Sequence, residues 1–343
     1  MPEGHGRPGL RAGEDAQGGV AILGTGYHVP EARLTNADLE GRLETSDEWI
    51  RTRTGIRERR VAAVGEATSD LALPAARQAL ERAGLRGSDL DLIVVATVTP
   101  DHAFPSTGCL LQARLGALHA AAFDISAACT GFLYGLAAVE AMIRAGTARY
   151  ALVIGAEVLT RILDWQDRGT AVLLGDGAGA AVLGPAAPGF GILSTVLGCD
   201  GDGGPLVRMP AGGSRLPASA ETVAGRLHTF QQNGREVYRF AIQIMGDAAE
   251  EALGRARLRP EDVALLVPHQ ANFRIIEAAA RRFSFPLERV WVNIDRFGNT
   301  SSASIPIGLA EAVEAGRLRR GDVALLVAFG AGLTWGAATV RWV

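Results

Sequence analysis

Along this chain, unbroken runs of Val, Ile, Leu and Ala alternate with stretches in which apolar residues recur every three or four positions among Glu, Arg and Gln. The runs LIVVAT (92–97), YALVIGA (150–156) and VALLVAF (323–329) are the clearest. Continuous aliphatic runs of this length fit strands covered on both faces, and the segments between them fit amphipathic helices. Strands alternating with helices predict an α/β protein with mainly parallel sheets. The pattern also repeats. ALERAGLRGSDLDLIVV (79–95) matches ALGRARLRPEDVALLVP (252–268), and ALVIG from Ala151 matches ALLVA from Ala324, each pair 173 residues apart. Two matches in one register at half the chain length indicate duplication. The predicted halves are residues 19–187 and 188–343, meeting in the Gly/Pro-rich segment LGPAAPGFG (183–191). The Gly/Ser/Pro-rich segment 200–224 reads as a surface insertion, and the polar residues 1–18 as a disordered tail.

Composition narrows the function classes. With 48% apolar and 21% charged residues, the 343-residue chain can bury a large core. Its formal net charge is −3 and its 34 basic residues, all arginine, form no block, which argues against nucleic acid as a partner. No apolar run approaches the ~20 residues of a membrane span, and the N-terminus lacks the apolar core of a signal peptide. Three widely spaced cysteines, Cys109, Cys129 and Cys199, fit a reducing, cytoplasmic setting better than a disulfide framework. No His/Cys spacing suggests a metal.

The chemistry concentrates at one seam. AAFDIS (121–126) predicts a buried strand, and the stretch from Cys129 to Ala145-Gly146 predicts a helix closed by glycine. A cysteine at that helix start gains from the exposed N–H groups and the positive end of the helix dipole, which favour the nucleophilic thiolate. The matching helix of the second half ends at Ala315-Gly316, 170 residues on, and that offset carries Cys129 onto Asn299. Asparagine there also suits a plain helix cap. His269 follows the strand VALLVP, at the end of the sheet where α/β proteins place their sites. The turn in AFGAGLTWGAA (328–338) can bring backbone N–H groups close to a bound atom. GDGAGAAVL (175–183) runs into a strand rather than a helix, so it is no dinucleotide fingerprint.

Cys129, His269, Asn299 and the Gly-rich turn, in that order, resemble the β-ketoacyl-acyl carrier protein synthase III family of thiolase-like condensing enzymes. The likeness extends through TSDEWIRTRTGIRERR (45–60), HAFPS (102–106), DRGTAVLLGDGAGAAVL (167–183), NGREVYRFA (233–241), VPHQANFRII (267–276) and GNTSSASIP (298–306). It implies a thiolase-like fold with five αβαβα layers and a catalytic Cys129-His269-Asn299 triad, with the backbone N–H of Ala331, where the family often has glycine, as an oxyanion donor. It implies further that Trp49, Arg53 and Arg168 hold the adenine of coenzyme A. Gly234, Tyr238, Asn272, Arg274 and Phe329 would line the substrate channel, and Phe104 would reach across a homodimer interface to the acyl pocket. Arg274, Arg281 and Arg282 would dock the acidic carrier protein.

The activity so implied is decarboxylative Claisen condensation of an acyl-CoA primer, acetyl-CoA foremost, with malonyl-acyl carrier protein, with no cofactor beyond the substrates. The alternative within the family is a specialised starter-unit synthase or acyltransferase of secondary metabolism. Cys, His and Asn also occur in this order in papain-like proteases, for which a duplicated α/β chain is not expected.

Overall fold

The strands form where the aliphatic runs predict them, and they assemble into two large sheets, beside two short two-stranded ribbons among the described residues. A computed structural model describes residues 18–282 and 285–343. Apart from Gly18, the expected N-terminal tail lies outside the described residues. The first sheet has the order Gly19–His28, Gly177–Ala186, Ala151–Glu157, Leu92–Ala96, Ala121–Ile125. The second has the order Val263–Pro268, Val323–Gly330, Thr334–Arg341, Gly191–Cys199. The chain crosses between the sheets over residues 187–190.

The duplication is visible in the pairing register. Leu92 lies opposite Ala151 in one parallel pair, and Leu265 lies opposite Ala324 in the other, both shifted by 173 residues. The sheets are nevertheless mixed rather than mainly parallel. Strand Gly177–Ala186 runs antiparallel to both neighbours. The turn 331–333 joins Val323–Gly330 to Thr334–Arg341 as a hairpin, and so short a connection permits only antiparallel pairing.

Between the sheets lie helices Gly131–Arg144 and Ser304–Glu314. Their Phe132, Leu136, Val139, Ile305 and Leu309 share one buried cluster with Val94 and Val153 of the first sheet and Val267 and Leu326 of the second. Helix Thr68–Ala83 covers the outer face of the first sheet, and helices Gly234–Ala256 and Phe273–Arg282 cover that of the second. The result is the expected αβαβα layering. Close approach at its centre depends on glycine: a Cβ on Gly155 would stand 2.2 Å from the Ser302 carbonyl oxygen. No helix among the described residues is long and apolar enough to cross a membrane.

Two local expectations fail. Strand Ala121–Ile125 is not buried but forms the exposed edge of the first sheet, with Phe123 36% exposed. Its aliphatic character reflects a face that this chain alone leaves uncovered. The Gly/Ser/Pro segment 200–224 is not merely a surface insertion either, since Val207, Arg208 and Met209 form part of the wall of the central cavity.

Candidate active site

A sharp turn presents Cys129. Strand Ala121–Ile125 leads into a short 3₁₀ turn, Ala128–Thr130, and then directly into helix Gly131–Arg144. Ala128 adopts a left-handed φ of 47°, uncommon for a residue with a Cβ and a mark of local strain. The Thr130 hydroxyl donates to the Ala127 carbonyl at 2.6 Å and lies 2.9 Å from Thr334 Oγ1. Thr334 lies in turn 3.0 Å from the Ala331 carbonyl, so the nucleophile turn is fastened to the Gly-rich turn. Gly330 makes that junction possible, because a Cβ there would stand 2.9 Å from the Cys129 backbone nitrogen.

The second half repeats the device, though not at the predicted residue. Its turn, Ser301–Ala303, leads into helix Ser304–Glu314, and Ser301 has a φ of 49°. Both the strained residues and the helix starts are 173 apart, whereas the helix ends are 170 apart, because the second helix is three residues shorter. The topological counterpart of Cys129 is therefore Ser302, not Asn299. Asn299 sits just before the turn, on an extended segment bridged to Leu174.

One cavity of about 520 Å³ between the halves is lined by Cys129, His269, Asn299, Ala331, Gly234, Tyr238, Asn272 and Phe329. The Asn299 amide is oriented by the Ser301 N–H, which donates to its Oδ1 at 2.8 Å and leaves the Nδ2 hydrogens as donors. His269 has its Nδ1 2.6 Å from the Ser304 hydroxyl, while its buried Nε2 has no hydrogen-bond partner among the described residues. If Ser304 donates, the remaining imidazole hydrogen is on Nε2. Phe329 packs edge-on against the His269 ring, centroids 5.6 Å apart. Beyond Cys129 the wall is apolar, with Leu159, Ile162, Leu174 and Phe230 around the space.

Burial dominates the electrostatics. The Cys129 thiol is pushed up to about 12, chiefly by desolvation, with a hydrogen bond from Ser301 acting in the opposite direction. Desolvation likewise presses His269 down to about 3. The free site thus rests as neutral thiol and neutral imidazole, not as the helix-stabilised thiolate expected from the chain. Near neutral pH only a small thiolate fraction reacts, so iodoacetamide labelling of Cys129 should accelerate about tenfold per pH unit. A rate plateau near neutral pH would contradict this assignment.

The remaining sequence candidates fall into separate groups. Trp49, on helix Asp47–Thr54, has the Arg53 guanidinium 4.5 Å and the Arg168 guanidinium 4.9 Å from its ring centroid. The Arg53 carbonyl accepts a hydrogen bond from Asn272 Nδ2 at 3.0 Å, linking this trio to a residue of the cavity wall. Arg274 is exposed at the start of helix Phe273–Arg282. At the other end of that helix Arg281 pairs with Glu277 at 2.7 Å, and Arg282 is held by Asp247 and the Gln243 carbonyl. Phe104 is 86% exposed and does not line the cavity of its own chain. Ser301 and Ser304, which touch Cys129 and His269, escaped the sequence reading, although both lie within the motif GNTSSASIP.

Comparison with known proteins agrees with this architecture. The family model described as 3-oxoacyl-[acyl-carrier-protein] synthase III matches residues 123–201, and that of its C-terminal part matches residues 253–342. The β-ketoacyl-[acyl-carrier-protein] synthase III of Caldanaerobacter subterraneus subsp. tengcongensis is 56% identical over 94% of this chain and 98% of that protein. That of Clostridioides difficile is 51% identical over the same shares. The crystal structure of the Thermus thermophilus enzyme aligns with a TM-score of 0.88 at 51% identity, covering 94% of this chain and 99% of that one. The priming β-ketosynthase of the R1128 polyketide pathway aligns with a TM-score of 0.89 at 36% identity, covering 98% and 99%. Sharing more than half of its aligned residues with such relatives, this chain belongs to the β-ketoacyl-acyl carrier protein synthase III family.

Proposed function

We propose that this chain joins an acyl-CoA primer, acetyl-CoA foremost, to malonyl-acyl carrier protein and so opens type II fatty acid synthesis in the cytoplasm. The observation that carries this reading is the convergence of Cys129, His269 and Asn299 on one cavity, with the asparagine turned so that its amide donates. In the first half-reaction the Cys129 sulfur attacks the primer thioester, and the thiol proton leaves with coenzyme A. Backbone N–H groups of Cys129 and Ala331 hold the transient oxyanion. Malonyl-carrier protein then enters. Its C–C bond to the carboxylate breaks, carbon dioxide departs, and the electron pair passes into a thioester enolate. His269 Nε2–H and Asn299 Nδ2–H donate to the enolate oxygen; both are neutral donors in this buried setting. The enolate carbon attacks the acyl-cysteine carbonyl, and sulfur leaves to be reprotonated. No metal or redox cofactor enters these steps.

Substrate handling follows the same geometry. Coenzyme A stacks its adenine in the Trp49, Arg53 and Arg168 cluster and runs its pantetheine arm past Gly234, Tyr238 and Asn272. Arg274 and Arg281, with Arg282 behind them, steer the acidic carrier protein. Stacking of a base on an aromatic side chain contributes about 1–3 kcal/mol. Trp49→Ala should therefore raise KM for acyl-CoA roughly 5- to 150-fold with kcat little changed. An equal loss in kcat would count against the assignment.

A homodimer explains the uncovered apolar edge, where Phe104 is 86%, Leu118 75% and Phe123 36% exposed around strand Ala121–Ile125. Edge strands of this kind pair readily with another copy. Sedimentation should give twice the 35.9 kDa chain mass, and Phe123→Arg should lower it toward the monomer. A monomeric wild type would refute the pairing.

The function itself is tested by incubating the protein with acetyl-, isobutyryl- and longer acyl-CoAs and mapping adducts by mass spectrometry, then adding malonyl-carrier protein. An acyl group on the Cys129 peptide and a 3-ketoacyl product are expected. Absence of any adduct would defeat the proposal. An adduct only with bulky primers would favour the starter-unit reading, which the likeness to the R1128 priming enzyme keeps in view.

A further inference from the structure

The 173-residue register shift pairs more than strands. It carries Ala96 onto His269, Cys129 onto Ser302 and Glu157 onto Gly330. At the open turn, the strand ending in Gly330 leaves room beside the Cys129 nitrogen. At the twin turn, the corresponding strand ends in Glu157, whose fully buried side chain lies against Ser302. The duplicated fold therefore contains two turns of the same shape, one open to substrate and one plugged by a carboxyl group.

The hydrogens around that carboxyl can be counted. Glu157 Oε2 accepts from Thr99 Oγ1 at 2.6 Å, Thr97 Oγ1 at 3.1 Å and the Val98 N–H at 3.1 Å. Its Oε1 lies 2.8 Å from the Ser302 hydroxyl, with the Val98 N–H more distant at 3.3 Å. The Ser302 hydroxyl is also 2.9 Å from the Ala96 carbonyl oxygen. A carbonyl can only accept, and serine has one hydrogen to give. With an ionised Glu157, two acceptors would compete for that single hydrogen. One proton on Oε1 resolves the conflict: Glu157 donates to Ser302, and Ser302 donates to Ala96.

We infer that Glu157 is a neutral carboxylic acid whose proton closes this chain of hydrogen bonds, so that the plugged turn places no negative charge behind Cys129. Among the described residues no cation hydrogen-bonds Glu157; its partners are two threonines, a serine and a backbone N–H. Burial raises its carboxyl in the direction that retains the proton. The titratable group whose charge it opposes is Cys129: the charge of an ionised Glu157 is one of the influences that raise that thiol, and a neutral Glu157 removes it. Glu157 thus acts through the electrostatics of the site without touching substrate.

Infrared spectroscopy of the full-length protein near neutral pH tests this directly. The wild type should show the carbonyl stretch of a protonated carboxylic acid that disappears in Glu157→Gln. Ser302→Ala removes the acceptor with little change in volume and should shift that band to higher frequency. If Glu157→Gln fails to fold, the serine variant still decides. Absence of the band in the wild type, or a band unmoved by Ser302→Ala, would overturn the inference. The pH profile of Cys129 labelling gives a second readout. Labelling of Glu157→Gln should stay within about twofold of wild type at each pH, because a neutral group replaces a neutral group. If Glu157 were ionised, removing its charge would lower the thiol pKa, and one unit would make labelling about tenfold faster at a given pH. That outcome would also overturn it.

Discussion

Replacing Cys129 by alanine is expected to eliminate the acyl adduct and to lower condensation on the order of 10⁴-fold or more, as removal of a nucleophile does in other covalent catalysts. Release of carbon dioxide from malonyl-carrier protein should survive the same substitution. The proposed enolate donors belong to the other half of the chain: His269 follows strand Val263–Pro268, and Asn299 is fixed by the Ser301 N–H. Neither needs the sulfur to hold its hydrogen in place. Mass spectrometry of the Cys129 peptide and a carbon dioxide assay separate the two activities. Persistence of an acyl adduct in the alanine protein would place the nucleophile elsewhere.

Asn299→Ala should give the complementary result. Acylation of Cys129 should change only a few-fold, while condensation should fall about 10²- to 10³-fold, the loss of roughly 2.7–4 kcal/mol associated with one oxyanion donor. Alanine also removes the acceptor for the Ser301 N–H, and Ser301 in turn hydrogen-bonds the Cys129 sulfur. Asn299→Asp distinguishes these effects. It keeps an oxygen for Ser301 but offers no amide donor and puts a negative charge beside the enolate. Condensation should therefore fail in the aspartate protein as well, while acylation falls less, slowed only by the added charge near Cys129. Equal loss of both half-reactions in both variants would show that Asn299 serves the turn rather than the enolate.

The parts of this fold that were legible in the chain are those set by local pattern. Leu92–Ala96, Ala151–Glu157 and Val323–Gly330 are continuous aliphatic runs, and they are the buried strands of the two sheets. Gly146 and Gly316, with φ of 72° and 67°, end their helices where glycine marks the stop. Cys129 was legible because a polar, reactive residue at a strand-to-helix seam is conspicuous. Other features depend on contacts between distant segments. The equivalence of Cys129 with Asn299 assumed helices of equal length, and a second helix three residues shorter moved the match to Ser302. Strand Ala121–Ile125 has an apolar pattern, but pattern alone does not say which strand lies at an edge. The thiol pKa was read from the helix dipole, whereas desolvation by the surrounding cavity is the larger influence. Val207, Met209 and Phe230 line the site only because their segment folds back over it.

The shared layer between the sheets has a consequence for how the enzyme is born. Phe132 and Leu136 of the first helix are buried in the same cluster as Ile305, Leu309 and Leu326 of the second half. During synthesis, the first half emerges with its thiol but without the helix, the histidine or the asparagine that complete the site. The chain acquires its condensing chemistry only after strands Val323–Gly330 and Thr334–Arg341 have been made and close the second sheet. A nascent chain stalled before that point can carry the proposed nucleophile, yet it lacks the proposed donors that turn a malonyl group into a carbon nucleophile.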